Sequence, residues 1–378
     1  MKISPLRPSA AHIHLDHLVH NLRTLRALAP ADFFCPMIKA NAYGHGAISV
    51  AKTLQSHGVS SLGVSLIEEG LQLRENGIAG EILLFGLFTQ GAQAVVDAQL
   101  TPVLSSWEQA HALIETRTPS PLAVHVKIDT GMHRLGFAVS DVSRLLEFFA
   151  ENRQLNPVGL LTHLLHSEDA ADADGETARQ ILQFEPVVEA FRSYSPQVHV
   201  WNTGGLLLGP KQKFPEWGAR PGIGVYGVSP SPKVHSGSLK AVMSFRSRIC
   251  KLNSLSPGES VSYSSTWKAQ RKSLIGVVPL GYADGIHRVS SNVGFMMVEG
   301  EKVPIVGNVC MDYVMVDLTD MKHKGDHLLD AEVTVFGYDS QGREFSVAEV
   351  AAASQTSPYE ILTSVSARVP RIFQSEQP

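Results

Sequence analysis

Lys39 closes a short apolar run, residues 33–38, and opens the polar, glycine-containing turn Lys39-Ala-Asn-Ala-Tyr-Gly-His-Gly46. A lysine whose strand neighbours are buried loses part of the hydration that stabilises its charge, so its amine can act as a nucleophile toward an aldehyde or as a base. A snorkelling or ion-paired lysine would occupy the same place without doing chemistry. Polar residues end four later apolar runs in the same way: Lys127, His163, Asn202 and Tyr226. Two other patterns weigh less. Gly222-Ile-Gly-Val-Tyr-Gly227 has the spacing of a dinucleotide loop, but it overlaps an apolar run and leads into a Pro-rich segment instead of opening a helix. His163-Leu-Leu-His166, with Glu168 and Asp169, imitates a metal site. Three-residue spacing at a strand end does not bring both imidazoles to one ion, so no metal is expected.

The elements that must position these residues follow from hydrophobic rhythm. Apolar runs at 33–38, 62–66, 82–85, 102–104, 122–128, 158–162, 198–201 and 223–226 alternate with helix-spaced stretches such as Leu15–Leu28, 142–149 and 177–191. Eight such units predict a (β/α)₈ barrel over residues 1–230, with its chemistry at the C-terminal ends of the strands. The Ser-, Pro- and Gly-dense segment 228–238 reads as a linker. Beyond it, β-rich runs at 242–251, 274–280, 294–298, 303–306, 313–316 and 332–336 predict a mainly antiparallel β domain over 240–378, closed by helical stretches at 346–353 and 359–366. About the first ten residues are expected to pack on that second domain.

The 378 residues suit two or three domains, and 36 acidic against 32 basic residues leave a formal net charge of −4. No global field favours nucleic acid or an anionic membrane. Cys35, Cys250 and Cys310 are widely separated, which fits neither a disulfide framework nor a zinc knuckle. With no apolar leader or spanning stretch, a soluble, unprocessed cytoplasmic chain is expected.

The turn at Lys39 lies within Pro36-Met-Ile-Lys-Ala-Asn-Ala-Tyr-Gly-His-Gly46, which resembles the pyridoxal-phosphate lysine motif of bacterial alanine racemases. Further similar segments follow in the family's order: Lys127-Ile-Asp-Thr-Gly-Met-His-Arg-Leu-Gly136, Thr162-His163, Asn202-Thr203, Arg220-Pro-Gly-Ile-Gly-Val-Tyr-Gly227, Val261-Ser-Tyr263, Gly281-Tyr-Ala-Asp-Gly285, Gly307-Asn-Val-Cys-Met-Asp312 and Arg368-Val-Pro-Arg371. Together they span nearly the whole chain.

The resemblance implies that Lys39 holds pyridoxal 5'-phosphate covalently and is the base for the D-face of the substrate. It implies that Tyr263 of the partner subunit is the base for the L-face, in a homodimer whose active sites are shared. Because a tyrosine ordinarily titrates near ~10, that role needs nearby positive charge; the family provides a hydrogen-bonded line from Tyr263 through His163 to Arg220. Arg220 also donates to the pyridine nitrogen, which it cannot protonate, so the ring is a weak electron sink and transamination is suppressed. Tyr43, Thr203 and the N–H groups of Gly222 and Ile223 are implied to hold the phosphate, with Asn202 shaping the turn and Tyr226 alongside. Arg134 and the backbone of Met311 of the partner subunit are implied to receive the substrate carboxylate. Several relatives carbamylate the lysine matching Lys127, the alternative being an unmodified, hydrogen-bonded amine. Asp312 supports the site and Cys310 is packed. Ala367 departs from a tyrosine that some relatives carry before Arg-Val-Pro-Arg, and Trp267 is read as a gate residue.

The expected activity is interconversion of L- and D-alanine, supplying D-alanine for peptidoglycan. A serine-preferring or broad-specificity racemase is the rival within the same chemistry. A non-catalytic pyridoxal-phosphate carrier is the rival outside it; such single-barrel proteins lack the second domain and any counterpart of Tyr263.

Overall fold

The computed structural model describes residues 7–86, 89–231, 234, 239–322 and 326–374. The chain forms two compact units, one of Val19–Ala42 and Ala47–Leu239, the other of Met1–Leu18, Tyr43–Gly46 and Lys240–Pro378. Of the segment read as a linker, residues 232–233 and 235–238 lie outside the described residues.

The first unit is a closed barrel of parallel strands. Ser61–Val64, Glu81–Leu84, Thr101–Leu104, Leu122–Asp129, Leu155–Leu161, Gln197–Trp201 and Gly218–Ala219 pair in that order. Their side chains are mostly buried, as strands covered on both faces require. Residues 33–38 close the ring as an eighth, irregular stave. Phe34 bridges Ala219 on one side, and Met37 bridges Gly63 on the other. Cys35 N–H donates to the Ala219 carbonyl and Ile38 N–H to that of Gly63, each at 2.8 Å.

One expected strand is corrected. The run 223–226 is a tight helical turn, Ile223–Tyr226, and the last strand is the shorter Gly218–Ala219 before it. Pro221 lacks the N–H a ladder needs, and Gly227, at φ +80°, ends the turn in the left-handed conformation. Ile223, Val225 and Tyr226 are fully buried, so the turn is as apolar as a strand and periodicity alone cannot separate the two. The Tyr226 hydroxyl donates to the Met37 carbonyl at 2.8 Å, tying this turn to the stave that carries Lys39.

The second unit is built on a mixed sheet ordered Glu301–Pro304, Phe295–Val298, Glu332–Tyr338, Met243–Arg248, Ala10–His14, Arg371–Gln374, with Glu344–Phe345 paired to Glu332–Tyr338. Ala10–His14 runs antiparallel to Met243–Arg248 and parallel to Arg371–Gln374. A separate antiparallel sheet joins Lys251–Leu255, Ser273–Val278 and Val314–Asp317. Beside it lies the two-stranded ribbon Ser260–Val261 and Trp267–Lys268. Val261, Ile275 and Val306 form the core under this ribbon, and Trp267, read as a gate, packs against it.

Candidate active site

Lys39 ends the irregular stave, and the chain then makes a left-handed turn: Ala40, Asn41, Ala42 and Tyr43 have φ of +51°, +54°, +54° and +51°. Four consecutive residues with a Cβ in that region cost about 1–2 kcal/mol each, so the surroundings must hold them there. Glu69 does part of this. One carboxylate oxygen accepts from Ala40 N–H at 2.6 Å, the other from Ser65 and Leu66 N–H at 2.8 and 3.1 Å. The Asn41 side chain accepts from Ala47 N–H at 2.8 Å. Burial, followed by the positive charge of Arg134, lowers the Lys39 pKa from the ordinary lysine value, with Glu69 opposing. The amine is thus drawn toward its neutral, nucleophilic form.

Arg220 is buried at the barrel end, its pKa pushed down to about 10 by burial, so it is still a cation at neutral pH. Its guanidinium donates to His199 Nδ1 at 2.8 Å, to the His199 carbonyl, and to the Thr162 carbonyl at 2.7 Å. The imidazole of His199 is thus bonded directly to Arg220. Burial first, then Arg220, lowers the pKa of both His163 and His199 well below the usual range, so each is a neutral imidazole. The His163 carbonyl accepts from Gln180 Nε2 at 3.1 Å, which steadies the strand end.

The turn after Arg220 forms a small cradle. Thr203 Oγ1 accepts from Gly222 and Gly224 N–H at 3.1 and 3.3 Å. A Cβ on Gly224 would meet Thr203 Cγ2 at 2.6 Å, so the approach requires glycine. Asn202 caps the helix Thr203–Leu208, its side chain accepting from Gly205 N–H at 2.9 Å. The first N–H groups of such helical turns have no intrahelical acceptor and suit an anion.

Lys127 is buried in the barrel, and burial, Arg134 and Arg220 push its pKa down to about 8. The loop carrying the exposed Arg134 is ordered by Asp129, which accepts from Gly131 and His133 N–H at 2.9 and 3.1 Å. Gly136, at φ +129°, lets this loop return, since a Cβ would meet Asp129 N at 2.8 Å.

Tyr263, Met311 and Asp312 stand in the second unit. Tyr263 is 72% exposed on a strained turn, with Ser262, Ser264 and Ser265 at φ of +68°, +62° and +48°. Asn308 Nδ2 donates to the Tyr263 carbonyl at 2.9 Å, and Ser262 Oγ to the Asn308 carbonyl at 2.6 Å. Cys310 Sγ lies 3.3 Å from Ser262 Oγ. Met311, Tyr282 and Tyr313 are also exposed, and Asp312 accepts from Arg368 at 2.7 Å. Tyr43 also belongs to this unit; burial, then Tyr359, raises its pKa, which keeps the hydroxyl protonated. Arg371 donates to the Gly44 carbonyl at 3.0 Å and to the carbonyls of Val365, Ser366 and Val369, clamping the end of the lysine turn. His166 is engaged by Glu168 at 2.9 Å and Asp169 at 3.5 Å, and no cluster among the described residues is arranged to hold a metal ion.

Glu69, His199 and His125 escaped the sequence reading. The signal available was a histidine between two valines in each of two strands, Val124-His-Val126 and Val198-His-Val200, a polar side chain where both faces are buried.

A neutral-prone amine, a buried permanent donor and a glycine-opened hydroxyl cradle suit a phosphorylated aldehyde bearing a ring nitrogen. On a barrel rim, that donor set defines the barrel-type pyridoxal-phosphate enzymes. Family models for the alanine racemase N-terminal and C-terminal domains match residues 13–230 and 242–373. The chain belongs to the alanine racemase family, and it is a pyridoxal-phosphate-dependent isomerase. It is similar to an alanine racemase of Sorangium cellulosum, 36% identical over 98% of this chain and 100% of that one. It is 37% identical to one of Geobacillus stearothermophilus, over 97% and 94%. Among solved structures, the alanine racemase of Bartonella henselae with covalently bound pyridoxal phosphate matches with a TM-score of 0.86 at 30% identity, covering 97% of this chain and 99% of that one. No helix among the described residues is long and apolar enough to cross a membrane.

Proposed function

We propose that the protein interconverts L- and D-alanine in the cytoplasm, supplying D-alanine for peptidoglycan, as a homodimer with shared active sites. The observation that carries this reading is Lys39, drawn toward its neutral form at the end of a barrel stave. Pyridoxal phosphate, when bound, supplies an electron sink for the pair left behind when the α-proton is removed.

The chain's own residues supply geometry and proton transfer. Lys39 Nζ holds the cofactor and then takes or returns a proton on the D-face. The Tyr263 hydroxyl of the partner subunit does the same on the L-face. Two bases on opposite sides let each deliver a proton where the other removed one. The exposure of Tyr263 beside Met311, Tyr282 and Tyr313 supports a shared site, because an apolar cluster around a strained turn suits burial against a second copy. Arg220 donates to the ring nitrogen without surrendering its proton. Tyr43, Thr203, Gly222 and Ile223 hold the phosphate, Asn202 shapes their turn, His163 follows the strand Leu155–Leu161, and Tyr226 closes the helical turn after the last strand. Arg134 and the backbone of Met311 of the partner subunit hold the substrate carboxylate. Lys127, whose amine is neutral in appreciable fraction near pH 8, takes up carbon dioxide as a carbamate and orients Arg134. Asp312 steadies Arg368.

Lys39→Ala should lose the borohydride-reducible cofactor chromophore, and Tyr263→Phe should retain it while losing racemisation. Mixed and reassociated, these two inactive proteins should regain roughly a quarter of native activity, since half of the dimers would be mixed and each would hold one intact site. No recovery despite demonstrated subunit exchange would refute the shared site. Full activity of Tyr263→Phe alone would refute the second base.

A further inference from the structure

Arg220 is a buried cation, and among the described residues none of its hydrogen bonds goes to a carboxylate. It bonds through NH1 to His199 Nδ1 at 2.8 Å; His199 Nε2 lies 2.7 Å from His125 Nδ1; and His125 Nε2 faces Glu81 Oε1 at 3.4 Å. The four side chains form a single file through the barrel interior. Glu81 begins the strand Glu81–Leu84, so it stands at the N-terminal floor, opposite the end where Lys39 and Arg220 stand.

Donor chemistry fixes the direction of this file. A guanidinium only donates, so His199 Nδ1 must be the bare nitrogen and its Nε2 must carry hydrogen. That hydrogen points at His125, whose Nδ1 must accept, leaving Nε2–H to face the carboxylate. The last contact is the longest. Glu81 is nevertheless the carboxylate facing a His125 Nε2 that is otherwise buried without a hydrogen-bond partner among the described residues. Glu81 is itself held by Ser61; although burial alone would raise its pKa, the His125 and Ser61 hydrogen bonds leave it lowered, as an anion. The site is also built for the ring: a Cβ on Gly159 would lie 2.1 Å from His125 Nδ1. Phe33 packs over His199 with ring centroids 4.5 Å apart. The titratable groups along and against the file are Glu81, His125, His199, Arg220 and Cys35, with Lys127 and His163 also within the field of Arg220.

We propose that Glu81 is the relayed counter-ion of Arg220, a positioning residue that acts on the cofactor-binding arginine from the opposite end of the barrel through His125 and His199. Its effect on the cofactor rests on the reading that Arg220 meets the ring nitrogen.

Histidine-selective ¹⁵N NMR of the native holoenzyme tests the file without any substitution: both histidines should be neutral and protonated on Nε2. A proton on His199 Nδ1 overturns the proposal. Glu81→Gln keeps the shape and an acceptor but removes the charge. It should move the ¹⁵N resonances of both histidines, shift the absorbance band of the bound cofactor, and lower kcat about tenfold with KM little changed, as for one pKa unit of lost coupling. Unmoved His199 resonances in Glu81→Gln also overturn it. Moved resonances with an unmoved cofactor band would support the counter-ion and instead refute Arg220 as the partner of the ring nitrogen.

Discussion

At the scale of single residues, the site is set by which charges the fold refuses to hydrate. Lys127 shows the consequence most directly. Its pKa is pushed down to about 8, so between pH 8 and the ordinary lysine value near 10.5 the unfolded chain binds a proton that the folded chain does not. Stability contributed by the unmodified side chain must therefore rise with pH across that window, and the buried cation is a burden at neutral pH. A carbamate would replace that burden with an anion beside Arg134. Bicarbonate at pH 8 should accordingly raise the Tm of the native protein and leave Lys127→Met unmoved, as read by calorimetry. Equal shifts in both would exclude the carbamate.

At the scale of elements, glycines decide how closely side chains approach the strands. Gly159→Ala would place a methyl against the His125 ring. The overpacking should cost about 1–3 kcal/mol and displace the link to His199, visible as a lower Tm together with altered histidine ¹⁵N shifts. These approaches also mark where sequence reading stops. The polar ends of the apolar runs at Lys39, Lys127, His163 and Asn202 were legible because a single polar side chain interrupts a buried rhythm. The last strand was not, because Ile223, Val225 and Tyr226 are as buried in their helical turn as they would be in a ladder. The turn after Lys39 was expected, but not its left-handed backbone, because Ala-Asn-Ala-Tyr has no glycine to announce it and its anchor, Glu69, is 30 positions from Lys39. The Arg220–His199 contact was hidden for a related reason: His199 lies inside the strand Gln197–Trp201, where no polar strand end marks it.

At the scale of the whole molecule, neutral histidines in both units couple folding to pH. His163 and His199 in the barrel are held well below the usual imidazole range, by burial and then by Arg220. His12 and His14 in the second unit are pushed down to about 4, by burial first and then by Arg246 and His17 respectively. Below about pH 6.5 the unfolded chain takes up protons that the folded chain cannot, so stability falls as acid is added. The urea midpoint should be lower at pH 5.5 than at pH 7.5. A flat profile over that interval would mean that these side chains are solvated.

The pairing of Ala10–His14 with both Met243–Arg248 and Arg371–Gln374 also imposes a timetable on synthesis. The first of these strands leaves the ribosome about 230 residues before its antiparallel neighbour, a wait on the order of tens of seconds at ~5–20 residues per second. The other edge is covered only once Arg371–Gln374 has emerged in its turn. A polypeptide released early would thus carry every stave of its barrel and one orphaned strand, an open edge for chaperones to guard and for quality-control proteases to recognise.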